Sequence, residues 1–223
     1  MSQAPDAMSA ELPGRSFSWR EAWTNALTRP SVATFEELAG DPRATAGRAY
    51  LWIAAASIIG VLVQIVLVYV QIQDLILPGY SSLVLSSMMT TAVGLVVASL
   101  VAFLIASGAA HLVARLLGGR GTYSALAFAY ASYSAPLTLI NYVLGGLPLG
   151  VLLNCVTVAT GLYALVLAVT AVRAVHQIDT GKAIVAALAI PFLFVCLAVG
   201  IIVLLAILGP AVGNIFSEII SNV

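Results

Sequence analysis

Charge is scarce in this sequence. Only 8% of the residues are charged and 61% are hydrophobic, whereas an ordinary soluble domain is roughly 25% charged. The mean hydropathy is +1.08, so we do not expect a soluble fold. The nine Lys and Arg residues balance the nine Asp and Glu residues, and no basic tract occurs. The sequence therefore lacks the dense positive surface that nucleic acid binding requires, and we expect no nucleic acid partner.

Patterns typical of catalysis and of metal or cofactor binding are also missing. The two cysteines, Cys155 and Cys196, lie in apolar runs, where a thiol behaves as a small hydrophobic group. No paired carboxylates, histidine-rich metal pattern, nucleophile elbow or phosphate-binding loop is present. We therefore expect no catalytic residue, no cofactor and no metal, which predicts a protein that is not an enzyme.

One titratable side chain other than thiols and phenols lies in an apolar run. It is His111, one helical turn before Arg115, and we interpret it as a residue at the membrane interface. Because ionisable groups inside membranes are costly and informative, an intramembrane enzyme that uses these two residues is a weaker alternative.

The long apolar runs predict an all-α transmembrane bundle with five spans. A bilayer core about 30 Å thick requires roughly 20 apolar residues in a helix. The runs cover residues 50–70, 83–114, 123–144, 149–172 and 183–208.

Some of these boundaries leave alternatives open. The second run would measure about 48 Å as one helix, so it either tilts or projects from the membrane, and two short helices are the alternative. Pro136 should kink the third helix. The tight connection at residues 145–148 predicts an antiparallel hairpin of the third and fourth helices, and Gly209-Pro210 should end the fifth helix.

Around the five spans we expect three further segments. Residues 1–16 form a flexible N-terminal tail without the apolar core of a signal peptide, so we expect it to be retained. Residues 17–48 form cytoplasmic amphipathic or interfacial helices, and residues 49–210 form the membrane domain. Residues 211–223 form a C-terminal tail that is either a membrane-surface helix or a frayed end.

The positions of the cations predict the orientation. All nine Lys and Arg residues precede the first span or follow the second and fourth spans. Positively charged short loops resist translocation, so this side should be cytoplasmic. The N-terminus is then cytoplasmic and the C-terminus lies on the opposite side.

Small residues recur at every fourth position of the second run, which permits close approach of a neighbouring helix. We interpret this row as packing within the bundle, with contact in a homo-oligomer as the alternative. The residues assigned to packing are Gly94, Ala98, Ala102, Ala106 and Ala110.

Three uncharged polar residues near the Pro136 kink are candidates for lining a small-molecule pathway. They are Ser134, Asn141 and Asn154. Hydrogen bonds between helices are the simpler explanation for such residues.

The segment before the first span contains an aromatic amphipathic helix. Trp19 and Trp23 share a face with Leu27, and a short second helix around Phe35 follows Pro30. Tryptophan suits the headgroup layer. We favour a membrane-surface anchor, and a docking surface for a partner through Trp19, Trp23 and Phe35 is the alternative.

Several local features resemble the Yip family of Ypt- and Rab-interacting membrane proteins in its prokaryotic branch. The resemblance spans about residues 19–210. It rests on Trp23, Arg29-Pro30, Thr34-Phe35-Glu36, Gly118-Gly119-Arg120-Gly121-Thr122-Tyr123, Tyr130-Ala131, Pro136, and the loop from His176 through Thr180, Lys182 and Ala183.

The resemblance implies a five-span protein without enzymatic activity. The Asp-Leu-aromatic-Gly-Pro and Gly-Tyr-x-Pro motifs of the eukaryotic branch are missing, and only Gly79-Tyr80 remains, which weakens the case for small-GTPase binding. We expect a non-catalytic scaffold or accessory component in the lipid bilayer of a prokaryotic plasma membrane, which packs against other membrane proteins or further copies of itself or shapes the membrane. The alternative is a carrier for a neutral or lipophilic small molecule.

Overall fold

The computed structural model describes residues 16–221, except for the side chains of residues 194, 195, 197, 198 and 211–221. Within this part the chain forms α-helices and one short 3₁₀ turn, Gln73–Leu75, without a strand. The helices are α1 Trp19–Thr28, α2 Val32–Ala39, α3 Ala46–Ile72, α4 Ser81–Leu116, α5 Tyr123–Gly145, α6 Val151–His176 and α7 Thr180–Ser221.

Polar residues immediately before the helices determine where several of them begin. The Ser18 hydroxyl accepts a hydrogen bond from the backbone N–H of Glu21, which completes a capping box at the start of α1. Ser31, Thr45 and Thr122 cap α2, α3 and α5 in the same way. These side chains satisfy backbone donors that have no partner within the helix.

Three helices are long and apolar enough to cross a membrane. They are α3 together with the 3₁₀ turn, α4 and α6, and α7 contains two shorter apolar stretches, Thr180–Leu193 and Val199–Pro210. The positions of α3 to α7 agree with the five predicted runs. Because α4 is one continuous helix of 36 residues, the alternative of two short helices is wrong.

The predicted end of the last helix at Gly209-Pro210 is wrong. The backbone of α7 stays helical through Pro191 and Pro210 as far as Ser221. A proline removes one backbone donor, whereas ending a helix in an apolar environment exposes several unpaired groups, so continuation is favoured. The side chains of residues 211–221 lie outside the described part, and the predicted surface position of the tail stays a prediction.

Helix α5 occupies the centre of the bundle. Every side chain from Leu126 to Tyr133 is buried, and α1, α2, α3, α4 and α6 all pack against α5. Helix α3 packs closely along it, and a Cβ atom at Gly60 would lie 2.9 Å from the Cβ atom of Tyr142. The predicted contact between α5 and α6 is confirmed.

Candidate functional site

An open cavity of about 470 Å³ lies between the long helices, and we call it the central cavity. All five long helices contribute to its wall. Its lining residues are Ile53, Ser99, Ala102, Phe103, Ala106, Tyr130, Tyr133, Ser134, Thr138, Gly161, Ala164, Leu165, Ala168, Ala187, Ile190 and Pro191. This wall is uncharged and mostly apolar, and the volume is in the range of small-molecule binding sites.

The hydroxyl groups of the wall differ in their hydrogen bonding. Ser134 donates to the backbone oxygen of Tyr130 at 2.7 Å, and Ser99 lies 2.8 Å from the hydroxyl of Tyr142. Tyr130 and Tyr133 are each only 5% exposed, and their hydroxyls make no hydrogen bond to any residue that the structure describes. The cavity therefore presents two phenol groups without protein partners.

The structure does not bring the three predicted pathway residues together. Ser134 lines the central cavity, whereas Asn141 accepts a hydrogen bond from Thr160 at 3.2 Å and Asn154 is exposed on α6. Asn141 lies seven residues beyond Ser134, which is about 10 Å along a helix. This axial distance explains why Asn141 is separated from the cavity.

The row of small residues on α4 packs at one end only. Ala110 is buried at 2% exposure, and Ala102 and Ala106 line the central cavity. Gly94 and Ala98 are exposed, and a Cβ atom at Gly94 would meet nothing within 4 Å. A four-residue repeat turns by about 40° per step on a helix, so the row cannot keep one neighbour along its length.

Residues 17–41, which include α1 and α2, pack against the bundle, and we call this segment the N-terminal cap. Phe35 and Leu38 are fully buried, and the Phe35 ring meets Tyr133 edge-on with centroids 6.2 Å apart. The hydroxyl of Tyr163 donates to the backbone oxygen of Leu27. Phe35 therefore contacts α5, and its predicted role in contacting lipid or a partner is wrong.

The two tryptophans of α1 have different environments. Trp23 is partly buried and meets Trp52 of α3 edge-on at 6.2 Å between centroids. Trp19 is 49% exposed, with the Arg20 guanidinium 5.1 Å from its ring. Of the three predicted contact residues, Trp19 is therefore the one with a large exposed surface.

An ion pair connects the N-terminal cap to α3. A carboxylate oxygen of Asp41 lies 3.6 Å from Arg48, and the Asp41 side chain is fully buried. The same carboxylate accepts a hydrogen bond from the backbone N–H of Phe17 at 2.8 Å, while Arg48 donates to the backbone oxygen of Phe17 at 2.9 Å. The Arg48 guanidinium also lies 4.9 Å from the Trp52 ring. Sequence reasoning missed this pair, although a charged residue directly before an apolar run was a usable signal.

One end of the bundle, which we call the basic end, has the Lys and Arg residues of the described part of the chain at or near it. It comprises the start of α3, the end of α4, the start of α5, the end of α6 and the start of α7. A chain of hydroxyl groups links three helices there. The hydroxyls of Tyr50 and Tyr123 are 2.6 Å apart, and Tyr123 lies 3.2 Å from Ser107.

A histidine pair lies beside this hydroxyl chain. Nδ1 of His111 is 3.3 Å from Nε2 of His176, and His176 is fully buried. His111, which was predicted to lie at the membrane interface, therefore forms part of a contact between α4 and α6. Sequence reasoning did not pair the two histidines, because they are 65 residues apart.

Glycines allow the loop after α4 to approach the end of α6. A Cβ atom at Gly119 would lie 2.8 Å from the His176 ring, and one at Gly121 would collide with the backbone oxygen of Val175. The backbone N–H of Arg120 donates to the His176 oxygen at 3.2 Å. The two glycines thus permit direct packing that a side chain would block.

The clusters at the basic end and the central cavity differ in the chemistry that they can support. The clusters at the basic end connect helices, whereas the central cavity offers apolar walls and two phenol donors. Among the described residues, no group of three or more His, Cys, Asp or Glu side chains is placed to hold a metal ion.

Comparison with known proteins identifies the family. The family model described as the Yip1 domain matches residues 24–212, which include the second half of α1, all of α2 to α6 and most of α7. No curated protein and no solved structure matches the chain. Since the match covers most of the sequence, the chain belongs to the Yip1 domain family of membrane proteins.

Proposed function

We propose that this Yip1 domain protein is a non-catalytic scaffold or accessory component of the membrane, and that the N-terminal cap is its contact surface. The observation that carries this proposal is the position of the cap. Packing attaches it to α5 and α6, and Asp41 and Trp23 attach it to α3. Trp19, Glu36 and Glu37 remain exposed on its outer side.

A fixed surface is suited to recognition. A segment that is already ordered loses less conformational entropy when a partner binds than a flexible one does. The exposed side chains of the cap combine an aromatic group with charges of both signs, and such a combination fits a polar protein surface better than it fits the bilayer core.

Crosslinking tests the contact surface. A photo-crosslinking amino acid is placed at Glu37 in membranes of the source cell, and a matched control variant carries it at Leu152, which is 66% exposed on α6. We expect a discrete product from position 37 that position 152 does not give, and we expect Trp19→Ala to reduce it. A protein that stays monomeric in nanodiscs and gives no product at position 37 contradicts the proposal.

We further propose that the basic end is cytoplasmic, that the five long helices cross the membrane, and that this membrane is a prokaryotic plasma membrane. The orientation rests on the retention of cations on the cytoplasmic side, and the membrane on the family resemblance. For the test, Cys155 and Cys196 are replaced by Ala. Leu77→Cys, in the loop before α4, should react with a membrane-impermeant maleimide from outside only. Arg120→Cys should react from inside only, and the reverse pattern would invert the orientation.

A second candidate function is a carrier for a neutral or lipophilic compound. The observation that favours it is the central cavity, whose wall includes Ser134. Saturable uptake of a neutral lipophilic compound into proteoliposomes would support this function. Uptake equal to that of protein-free liposomes would argue against it.

A further inference from the structure

We infer that the central cavity is a binding site for a neutral, mostly apolar molecule that carries a hydrogen-bond acceptor such as a carbonyl group. Tyr130 and Tyr133 are the donors to that acceptor. The inference concerns binding and not movement across the membrane, so it depends neither on the scaffold function nor on the carrier function.

The absence of charged residues from the cavity wall indicates that the ligand is neutral. None of the lining residues is charged, so a charged ligand would be removed from water without a compensating group. An unpaired charge in an apolar environment is strongly unfavourable. The site therefore selects neutral molecules.

The two phenol hydroxyls indicate that the ligand carries a hydrogen-bond acceptor. Tyr130 and Tyr133 both line the cavity, and their ring centroids are 5.5 Å apart, so both rings belong to one region of the wall. A hydroxyl that is removed from water without gaining a hydrogen bond is costly. Neither hydroxyl finds a partner in the described part of the chain, and a ligand carbonyl would accept a bond from both.

The depth of the tyrosines distinguishes this ligand from a phospholipid. Tyr130 and Tyr133 lie seven and ten residues after the start of α5, which places them about 10 to 15 Å along the helix. The ester groups and headgroups of phospholipids lie at the surface of a core about 30 Å thick. With α5 crossing the membrane from its first residue, as proposed above, the acceptor belongs to a molecule that enters the core as a whole.

The cavity wall also reaches the outer surface of the bundle. Pro191 of α7 lines the cavity, and the next residue, Phe192, is 70% exposed. A lipophilic molecule dissolved in the bilayer would meet the protein at this surface.

Photolabelling of the full-length protein in nanodiscs tests the inference. Three probes carry the same diazirine group: a long-chain alkyl methyl ketone, a hydrocarbon of equal length, and a phospholipid labelled in its acyl chain. The variants are Tyr130→Phe combined with Tyr133→Phe, which keeps both rings, and Ala102→Trp, which fills the cavity from α4. Tyr80→Phe is the control, since Tyr80 is 55% exposed at the far end of α4.

The expected result is saturable labelling of α4 and α5 by the ketone. In the double tyrosine variant, the half-saturating concentration of ketone should rise about tenfold, because two neutral hydrogen bonds are lost, while labelling by the hydrocarbon should not change. Ala102→Trp should suppress labelling by both of these probes, and Tyr80→Phe should match the wild type.

Three results would overturn the inference. The first is equal ketone affinity in the double tyrosine variant. The second is preferential labelling of the cavity by the phospholipid. The third is ketone labelling that survives Ala102→Trp, since the probe would then occupy the lipid-facing surface. Because binding is measured without flux, a positive result stands even if the carrier function fails.

Discussion

The basic end and the opposite end of the bundle are held together in different ways. At the basic end, an ion pair, a histidine pair and a chain of hydroxyls connect separate elements. At the opposite end, the Gln71 side chain donates to the backbone oxygen of Gly146 at 2.6 Å, and none of residues 81–90 at the start of α4 is buried. Lipid covers apolar side chains as well as protein does, so hydrophobicity alone does not drive association there. The comparison indicates that polar contacts at the basic end give the bundle its specific arrangement.

Gly121→Ala should cause the largest loss of stability, through the packing at the basic end. The added Cβ atom would collide with the backbone oxygen of Val175, and a backbone atom inside a packed helix cannot move aside easily. We expect a loss of more than about 3 kcal/mol of stability or a failure to fold. The measurement is thermal unfolding in detergent. Gly94→Ala is the matched control, because a Cβ atom at that position meets nothing within 4 Å, and equal unfolding temperatures for both variants would contradict this explanation.

Asp41→Ala should release the N-terminal cap. The substitution removes the partner of Arg48 and the acceptor for the backbone N–H of Phe17. We expect a loss of about 2 kcal/mol, below the usual value for a fully buried pair, because the Arg48 side chain is 21% exposed. Limited proteolysis should then cleave between α1 and α2 faster than in the wild type. Asp74→Ala, at an exposed position of the opposite end, should leave the rate unchanged, and equal rates in all three proteins would show that the ion pair does not hold the cap.

Tyr123→Phe should reduce the free energy of unfolding by a smaller amount. It leaves the hydroxyls of Tyr50 and Ser107 without their shared partner, and we expect a loss of about 1 kcal/mol. Adding Tyr50→Phe should cost less than the sum of the two single changes, because the two hydroxyls act on the same hydrogen bond. Unfolding of the single and double variants measures this coupling, with Tyr80→Phe as the control at the opposite end. Strict additivity would show that the hydroxyl chain does not operate as a unit.

Asp179→Ala should have the smallest effect on stability, and this effect should depend on pH. The backbone N–H of Lys182 donates to the Asp179 carboxylate at 3.0 Å, and this hydrogen bond lowers the pKa of Asp179 below its ordinary value. A carboxyl with a lowered pKa stabilises the folded state above its unfolded pKa and loses that contribution as the pH falls through the folded value. We therefore expect Asp179→Ala to lower the unfolding temperature slightly at about pH 7, with the difference disappearing as the pH falls through the folded pKa of Asp179. A difference that stays constant as the pH is lowered through the acidic range would contradict the role of the charge.

Much of the local structure could be predicted from the sequence. The apolar runs located α3 to α7, and the antiparallel hairpin of α5 and α6 followed from the short connection at residues 145–148. Each of these features depends on residues that are neighbours in the chain. The end of α7 was predicted wrongly because the proline rule is also local, whereas the helix continues when its surroundings offer no other hydrogen-bond partners.

The candidate site was predicted only in part. Ser134 was selected for its polarity near a proline, and it does line the central cavity. Tyr130 and Tyr133 were not selected, because the sequence does not show that five helices leave space around them or that their hydroxyls lack partners. Phe35 was misjudged for a related reason, since an amphipathic pattern shows which face is apolar but not whether lipid or protein covers it.

The sequence by itself determined the family, the number and position of the apolar helices, and the end of the bundle to which the cations belong. Hydropathy and charge are properties of short segments, so these features can be inferred without knowing which helices are neighbours. Only the tertiary structure decided that Arg48 pairs with Asp41, that His111 meets His176, and that a cavity forms between the helices. Those contacts depend on the rotation and axial position of each helix relative to the others, and small residues in an apolar run allow many such arrangements.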